Sequence, residues 1–369
     1  MSILTVVFRV DASIRIGTGH VMRCLTLADQ LSKRAIGCHF ICREHQGNLI
    51  ELIRSKGYAV YPLPVEPRPE PDVREPLLAH GHWLAATQTQ DAEKCKLILD
   101  KLRPDWLIVD HYALDVKWEI AVGAHYDKLM VVDDLADRVH NCDLLLDQNL
   151  GRTEDDYLGL VPPHCSVLPG PRYALLRPEF AEYRAYSLAR RKNTHILHNI
   201  LISMGGVDAH NASALVLKAL TSCSLPEHCQ ITVVMGSNAP WIDSVRQERS
   251  KMPWRTNVLV DVNNMAELIS DADLCIGAAG STSWERCALG VPSILLCLAD
   301  NQRNVIEELA HQGVAIPLNL KELENGNSTL LKEALMRASD SLSDMSYKAA
   351  RVTDGLGCAR IVKRLVSER

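Results

Sequence analysis

The chain has 369 residues, 47% hydrophobic and 23% charged, values ordinary for a globular protein long enough to hold two domains. Its formal net charge is −5, with no block of Lys and Arg, so it lacks the electrostatic footprint of a nucleic-acid or anionic-membrane binder. The N-terminal MSILTVVFRVDAS has no signal-peptide architecture, and no apolar run approaches the roughly 18 residues of a transmembrane candidate; a cytoplasmic protein without membrane insertion is expected.

The first half alternates β-branched runs with amphipathic stretches, the pattern of parallel α/β units. Strands are predicted at Leu4–Val10, Cys38–Cys42, Trp106–Asp110, Leu129–Asp133 and Leu144–Asp147. The helix after His20 repeats apolar residues at Val21, Leu25, Ala28 and Leu31. Pro62–Pro76 is too rich in helix and strand breakers for a core element and is expected as a surface loop. The second half restarts the rhythm with predicted strands at Asn199–Met204, Ile231–Met235, Val258–Val260, Leu274–Gly277 and Ser293–Cys297. Expected boundaries are residues 1–178 for an N-terminal domain, 179–194 for a polar linker helix, 195–345 for a second α/β domain and 346–369 for a helical tail. Two open α/β domains in tandem imply an interdomain cleft, bordered by the carboxyl ends of the strands where ligands collect. The twelve cysteines include no C-x-x-C pair, and several lie in apolar runs, which argues for reduced, structural thiols rather than a metal site.

Gly17-Thr18-Gly19-His20 follows the first strand and opens a helix. Gly17 and Gly19 let backbone approach a ligand closely, and position 22 is Met, so this is not a dinucleotide fingerprint. His20 at the helix start is the natural neutral-pH base for activating water; the plainer alternative is a polar surface residue beside a tight turn. Asp11 and Arg15 could orient His20 or the substrate, or be solvated loop charges. In Asp110-His111-Tyr112, at a strand end, Tyr112 could donate a hydrogen bond to a sugar oxygen or phosphate, whereas Asp110 fits a structural cap better. Asp133-Asp134 resembles a metal pair only superficially, since adjacent residues on an extended chain face opposite ways.

In the second half, Gly205-Gly206, Met235-Gly236-Ser237 and Gly280-Ser281 form three small turns expected at one edge of one sheet, a floor of backbone N–H groups suited to a diphosphate. Glu285 either completes a capping box with Thr282 or accepts hydrogen bonds from a ribose diol. Asn301, in LADNQ, could meet the sugar or phosphates or be a turn residue.

Taken in order, FRVDASIRIGTGHVMRCLTLA, IVDHYALD, VVDDLADRVHNCDLLLDQN, GPRYALLRPEF, ISMGGVDAHN, GAAGSTSWERCALGVPSI and LADNQ resemble the PseG family, UDP-sugar hydrolases of pseudaminic acid biosynthesis related to the MurG glycosyltransferases. The resemblance implies a GT-B-like α/β fold of two Rossmann-like domains. It also implies hydrolysis of UDP-2,4-diacetamido-2,4,6-trideoxy-β-L-altropyranose by inverting attack of water, with His20 as base. Tyr112 and Asn301 would contact substrate near the reacting centre, and the second-domain glycine turns and Glu285 would hold UDP. No cofactor or catalytic metal is implied, and the partner is the UDP-sugar, bound by a monomer or weak homo-oligomer. The alternatives are a MurG-type transferase with an acceptor hydroxyl in place of water, and a non-catalytic UDP-sugar-binding protein.

Overall fold

A computed structural model describes residues 4–66, 78–192, 196–299 and 302–367. The chain forms two compact units, one running up to Leu175 and regaining the chain from Gly357, the other spanning Leu176–Leu356. Each is a parallel sheet with helices on both faces, a Rossmann-like domain of the GT-B fold.

The first unit holds β1 (Thr5–Val10), β2 (Gly37–Arg43), β3 (Ala59–Leu63), β4 (Trp106–Asp110), β5 (Lys128–Val132), β6 (Leu144–Asp147) and β7 (Ser166–Pro169), in the order β3-β2-β1-β4-β5-β6-β7. Its strands read as continuous apolar runs because both faces are covered. Val6, Phe8 and Val10 of β1 and Ile108 of β4 enter one core, with Leu25 and Leu31 of the helix Gly19–Ser32. Val7, Leu107 and Val109 point the other way, into a second core with Leu99 and Trp118. The last helix, Gly357–Ser367, belongs to this unit: Ile361, Val362 and Leu365 complete the first core, and the Trp106 indole N–H donates to the Leu365 carbonyl at 3.2 Å.

The second unit holds β8 (Asn199–Ser203), β9 (Gln230–Met235), β10 (Arg255–Val260), β11 (Leu274–Ala278), β12 (Ser293–Leu296) and β13 (Ala315–Leu318), ordered β10-β9-β8-β11-β12-β13. The helix Arg184–Arg191 packs within it. Ser187 Oγ donates to the Leu289 carbonyl at 2.6 Å, and Arg184 donates to the Ala350 carbonyl at 2.6 Å on the long helix Thr329–Val352.

Three strands are absent from the sequence-based expectation: β3, β7 and β13. Each carries a proline (Pro62, Pro169, Pro317), and each lies at the edge of its sheet, where a missing N–H costs no ladder bond on the open side. The expected Pro62–Pro76 loop is corrected accordingly. Pro62 pairs with Cys42 inside β3, Leu63 closes that strand, and residues 67–77 lie outside the described residues.

Candidate active site and nucleotide site

In the first unit, strand order reverses at β1, which pairs with β2 on one side and β4 on the other. Ligands of open α/β sheets collect at the carboxyl ends of such strands. β1 leads into a tight loop in which Ser13 Oγ accepts from the N–H groups of Arg15 (3.1 Å) and Ile16 (2.9 Å). Gly17 closes it at φ +82°, a conformation that favours glycine. Gly19 begins the helix with open space beside its Cα, and His20 lies in the first turn.

Because Val10 and Asp110 are register partners, the helix that follows β1 starts beside the end of β4. His20 Nδ1 lies 2.6 Å from Asp110 Oδ1. A carboxylate only accepts, so in this hydrogen bond Nδ1 carries the proton and Nε2 is the nitrogen turned away from Asp110. Arg23, three residues on and hence on the same helix face, donates from Nε to Asp110 Oδ2 and from Nη2 to Oδ1, each at 2.6 Å. Its Nη1 donates to Asp134 Oδ2 at 2.6 Å, and the Tyr112 hydroxyl donates to that same oxygen at 2.7 Å. Burial alone would push the Asp110 carboxyl up; Arg23 and His20 outweigh it and hold the group well below the usual carboxylate range. Burial, reinforced by Asp134, pushes the Tyr112 phenol up and keeps its proton on oxygen.

Tyr112 therefore meets His20 through its ring rather than its hydroxyl, edge to face, with centroids 4.7 Å apart. Trp83 and His80, neither singled out in the sequence, join this cluster. Trp83 stacks on Tyr112 at 5.6 Å and lies 6.1 Å from His20, and His80 is 4.4 Å from Trp83.

Asp11 and Arg15 do not orient His20. Asp11 is fully buried in another lattice, accepting from Arg9 at 2.7 and 3.0 Å and from the Arg43 N–H at 2.6 Å, with His111 Nε2 at 3.1 Å. Arg15 is exposed. Asp133 and Asp134 take separate partners: Asp133 caps the Ala136 N–H at 2.9 Å and binds Arg138 at 2.8 Å, while Asp134 faces Arg23 and Tyr112. Among the described residues no group of three or more His, Cys, Asp or Glu is arranged to hold a metal. All twelve cysteines are free thiols.

In the second unit β8 lies between β9 and β11, so the turns that follow them are neighbours. Gly205 turns at φ +86°. A Cβ on Gly236 would sit 2.2 Å from the Gly206 carbonyl oxygen, and one on Gly277 would sit 2.3 Å from that of Ser203, so backbone meets backbone here only because side chains are absent. The Met235 side chain is buried in the core, leaving only its backbone for a ligand, whereas Ser237, Gly280 and Ser281 are exposed. Arg286 ties this edge together, donating to the Ala278 carbonyl at 2.8 Å and to Ser283 Oγ at 3.0 Å.

The capping-box alternative for Glu285 is not realised. Thr282 is already the first helical residue, Ser281 precedes it, and no side-chain cap bond forms. Glu285 is half-buried, and loss of water around its carboxyl pushes it above the usual range, with Arg177 and Arg286 opposing. Among the described residues its carboxylate has no hydrogen-bond partner. Asn301 lies outside the described residues.

Residues 199–359 match the family described as glycosyltransferase family 28 C-terminal domain. The chain is 29% identical to the UDP-2,4-diacetamido-2,4,6-trideoxy-beta-L-altropyranose hydrolase of Campylobacter jejuni over 314 residues, 85% of this chain and 98% of that protein. The resemblance read from the motifs holds. Among solved structures the fold is similar to MurG of Acinetobacter baumannii, with a TM-score of 0.70 and 17% identity over 99% of both chains. It is also similar to a UDP-GlcNAc 2-epimerase of Neisseria meningitidis bound to UDP-GlcNAc, with a TM-score of 0.59 and 12% identity over 99% of this chain and 100% of that one. No helix among the described residues is long and apolar enough to cross a membrane.

Proposed function

We propose that the protein hydrolyses UDP-2,4-diacetamido-2,4,6-trideoxy-β-L-altropyranose to UDP and the free sugar, by attack of water on C1 with inversion. The observation that carries this reading is the hydrogen-bonded pair His20–Asp110, clamped by Arg23. Asp110 fixes the tautomer, so His20 Nε2 accepts a proton from water as its oxygen bonds to C1. The C1–oxygen bond to the diphosphate breaks, and UDP departs with the electron pair. Asp110 stabilises the imidazolium that forms, and a base so placed contributes about 10²–10⁴-fold.

Gly17 and Gly19 give the sugar close approach, and Tyr112 and Asn301 contact it. In the second unit, the turns at Gly205, Gly206, Met235, Gly236, Ser237, Gly280 and Ser281 offer backbone to the diphosphate, and the unpartnered Glu285 carboxylate accepts from the ribose hydroxyls. UDP is already a good leaving group, so stabilising its charge matters more than a strong general acid.

A second reading, transfer of the sugar to an acceptor hydroxyl, is favoured by the whole-length similarity to MurG. NMR of the protein with the UDP-sugar, without acceptor and with EDTA, separates the two. The hydrolase releases free sugar of inverted anomeric configuration, and His20→Asn abolishes release while UDP binding persists. Tight UDP binding with no sugar released by the wild type would reject hydrolysis in favour of transfer.

A further inference from the structure

The charged groups around His20 are already matched to one another. Arg23 is shared between Asp110 and Asp134, and the Tyr112 hydroxyl is engaged with Asp134. What remains beside the imidazole is aromatic surface. Trp83, in the short helical turn Gly81–Leu84, lays its ring nearly parallel to Tyr112, at 24° and 5.6 Å, and presents an edge-to-face contact to His20 at 76° and 6.1 Å. It is half-buried. The indole N–H groups of Trp106 and Trp118 donate to Leu365 and Asp91, but that of Trp83 has no protein acceptor among the described residues. An aromatic face with a free donor, beside a base, is a surface made for a ligand that is apolar in part and carries an acceptor.

We propose that Trp83 is a specificity-determining residue, whose ring receives the methyl-bearing face of the sugar and whose N–H is available to an acetamido carbonyl. The proposal rests on the hydrolase reading. A base that activates water must hold the anomeric carbon within about one further water of its nitrogen, so the sugar ring lies against whatever borders His20. A ring bearing a 6-deoxy methyl and two acetamido methyls gains from an aromatic wall. A fully hydroxylated ring would bury hydroxyl groups there without partners. Trp83 thus favours deoxy-acetamido sugars over common UDP-hexoses by contact with the sugar, not with the nucleotide.

The test compares wild type, Trp83→Phe and Trp83→Ala in steady-state hydrolysis of the UDP-diacetamido-trideoxy-altrose, with UDP as product inhibitor and circular dichroism to establish folding. Trp83→Ala should raise KM about tenfold, lower kcat less and leave inhibition by UDP unchanged, while Trp83→Phe recovers most of the loss. A KM for Trp83→Ala within about twofold of wild type, or a fall in kcat alone, would overturn the proposal and leave Trp83 as packing for His20. If the wild type releases no sugar, the hydrolase reading fails separately, and calorimetric affinities then decide. Loss of the UDP-sugar's affinity advantage over UDP in Trp83→Ala supports the wall, and an unchanged ratio rejects it.

Discussion

Replacing Asp110 with asparagine changes one atom's chemistry and leaves the volume of the site nearly intact. Asp110 accepts three short hydrogen bonds, from His20 Nδ1 and Arg23 Nη2 at Oδ1 and from Arg23 Nε at Oδ2, all at 2.6 Å. An asparagine has one acceptor oxygen and an NH₂ that only donates. With the amide nitrogen at the Oδ1 position, the imidazole must turn its Nδ1 lone pair towards it, placing the proton on Nε2 and abolishing the base. With the nitrogen at the Oδ2 position, it confronts the Arg23 Nε–H, and the clamp opens. The first arrangement removes the base outright, and the second keeps the tautomer but loosens the clamp that orients it, so kcat should fall, by about 10²–10⁴-fold where the first prevails. Asp134 still neutralises Arg23, so the stability cost should lie near or below the low end of the roughly 3–5 kcal/mol for breaking a buried pair. The assay is UDP release under saturating substrate, with UDP affinity by calorimetry and folding by circular dichroism. A folded Asp110→Asn variant with kcat within about threefold of wild type would refute the assignment, because neither the carboxylate charge beside His20 nor its clamp to Arg23 would then matter to turnover.

The Gly236→Ala variant puts a methyl 2.2 Å from the Gly206 carbonyl oxygen, so the two turns must separate; calorimetry should show UDP binding weakened about tenfold or more, and unchanged affinity would remove these turns from the nucleotide site. Ending the chain at Leu356 deletes the buried Ile361, Val362 and Leu365; at about 1.5–3 kcal/mol each the loss is roughly 5–9 kcal/mol, comparable to a whole domain's stability, so the first unit should fail to fold by circular dichroism and proteolysis. A truncated protein that melts like the full chain would contradict this. The Asp147 carboxyl is pushed up to about 8 by burial and by nearby Asp134, whereas in the unfolded chain it ionises near about 4. Between these values the folded state binds the extra proton, so stability falls as pH rises through the window. Urea midpoints taken at about pH 5 and about pH 8 should differ less in Asp147→Asn than in the wild type, and equal differences would show that Asp147 carries no proton in the fold.

The central strands were legible because burial on both faces leaves an unbroken apolar signature, as in the VVF of β1 and the WLIV of β4. The edge strands β3, β7 and β13 were not, since a proline that reads as a breaker in one dimension is tolerated where a strand has only one neighbour. Long-range partnership was hidden in the same way. Asp110 read as a local cap, yet its partners His20 and Arg23 lie 90 and 87 residues away, brought in by the pairing of β1 with β4. The i, i+3 spacing of His20 and Arg23 was a usable signal that both share one helix face. No comparable signal announced Trp83 and His80, which follow a proline-rich stretch without periodicity. Glu285 turned on a single residue of helix register: with Ser281 rather than Thr282 before the helix, the carboxylate is released from capping.

The two parts of the proposed chemistry rest on opposite physical devices. Around His20 the geometry is fixed by charge in a nearly dry setting, where Asp110 holds His20 and Arg23, and Arg23 is shared with a second carboxylate, Asp134. At the proposed nucleotide turns it is fixed by the absence of side chains, since a Cβ on Gly236 would meet the Gly206 carbonyl and one on Gly277 the Ser203 carbonyl. A base must keep its orientation while its charge changes during the reaction, and a charged lattice that already spans two carboxylates and a guanidinium accommodates an imidazolium without moving. A diphosphate arrives fully charged and asks for many modest donors at close range, which bare backbone can supply without adding a positive residue to a chain of net charge −5. On the proposed reading, a protein of net charge −5 would draw affinity for an anionic substrate from glycine geometry in one unit and reactivity from a buried acid–base pair in the other.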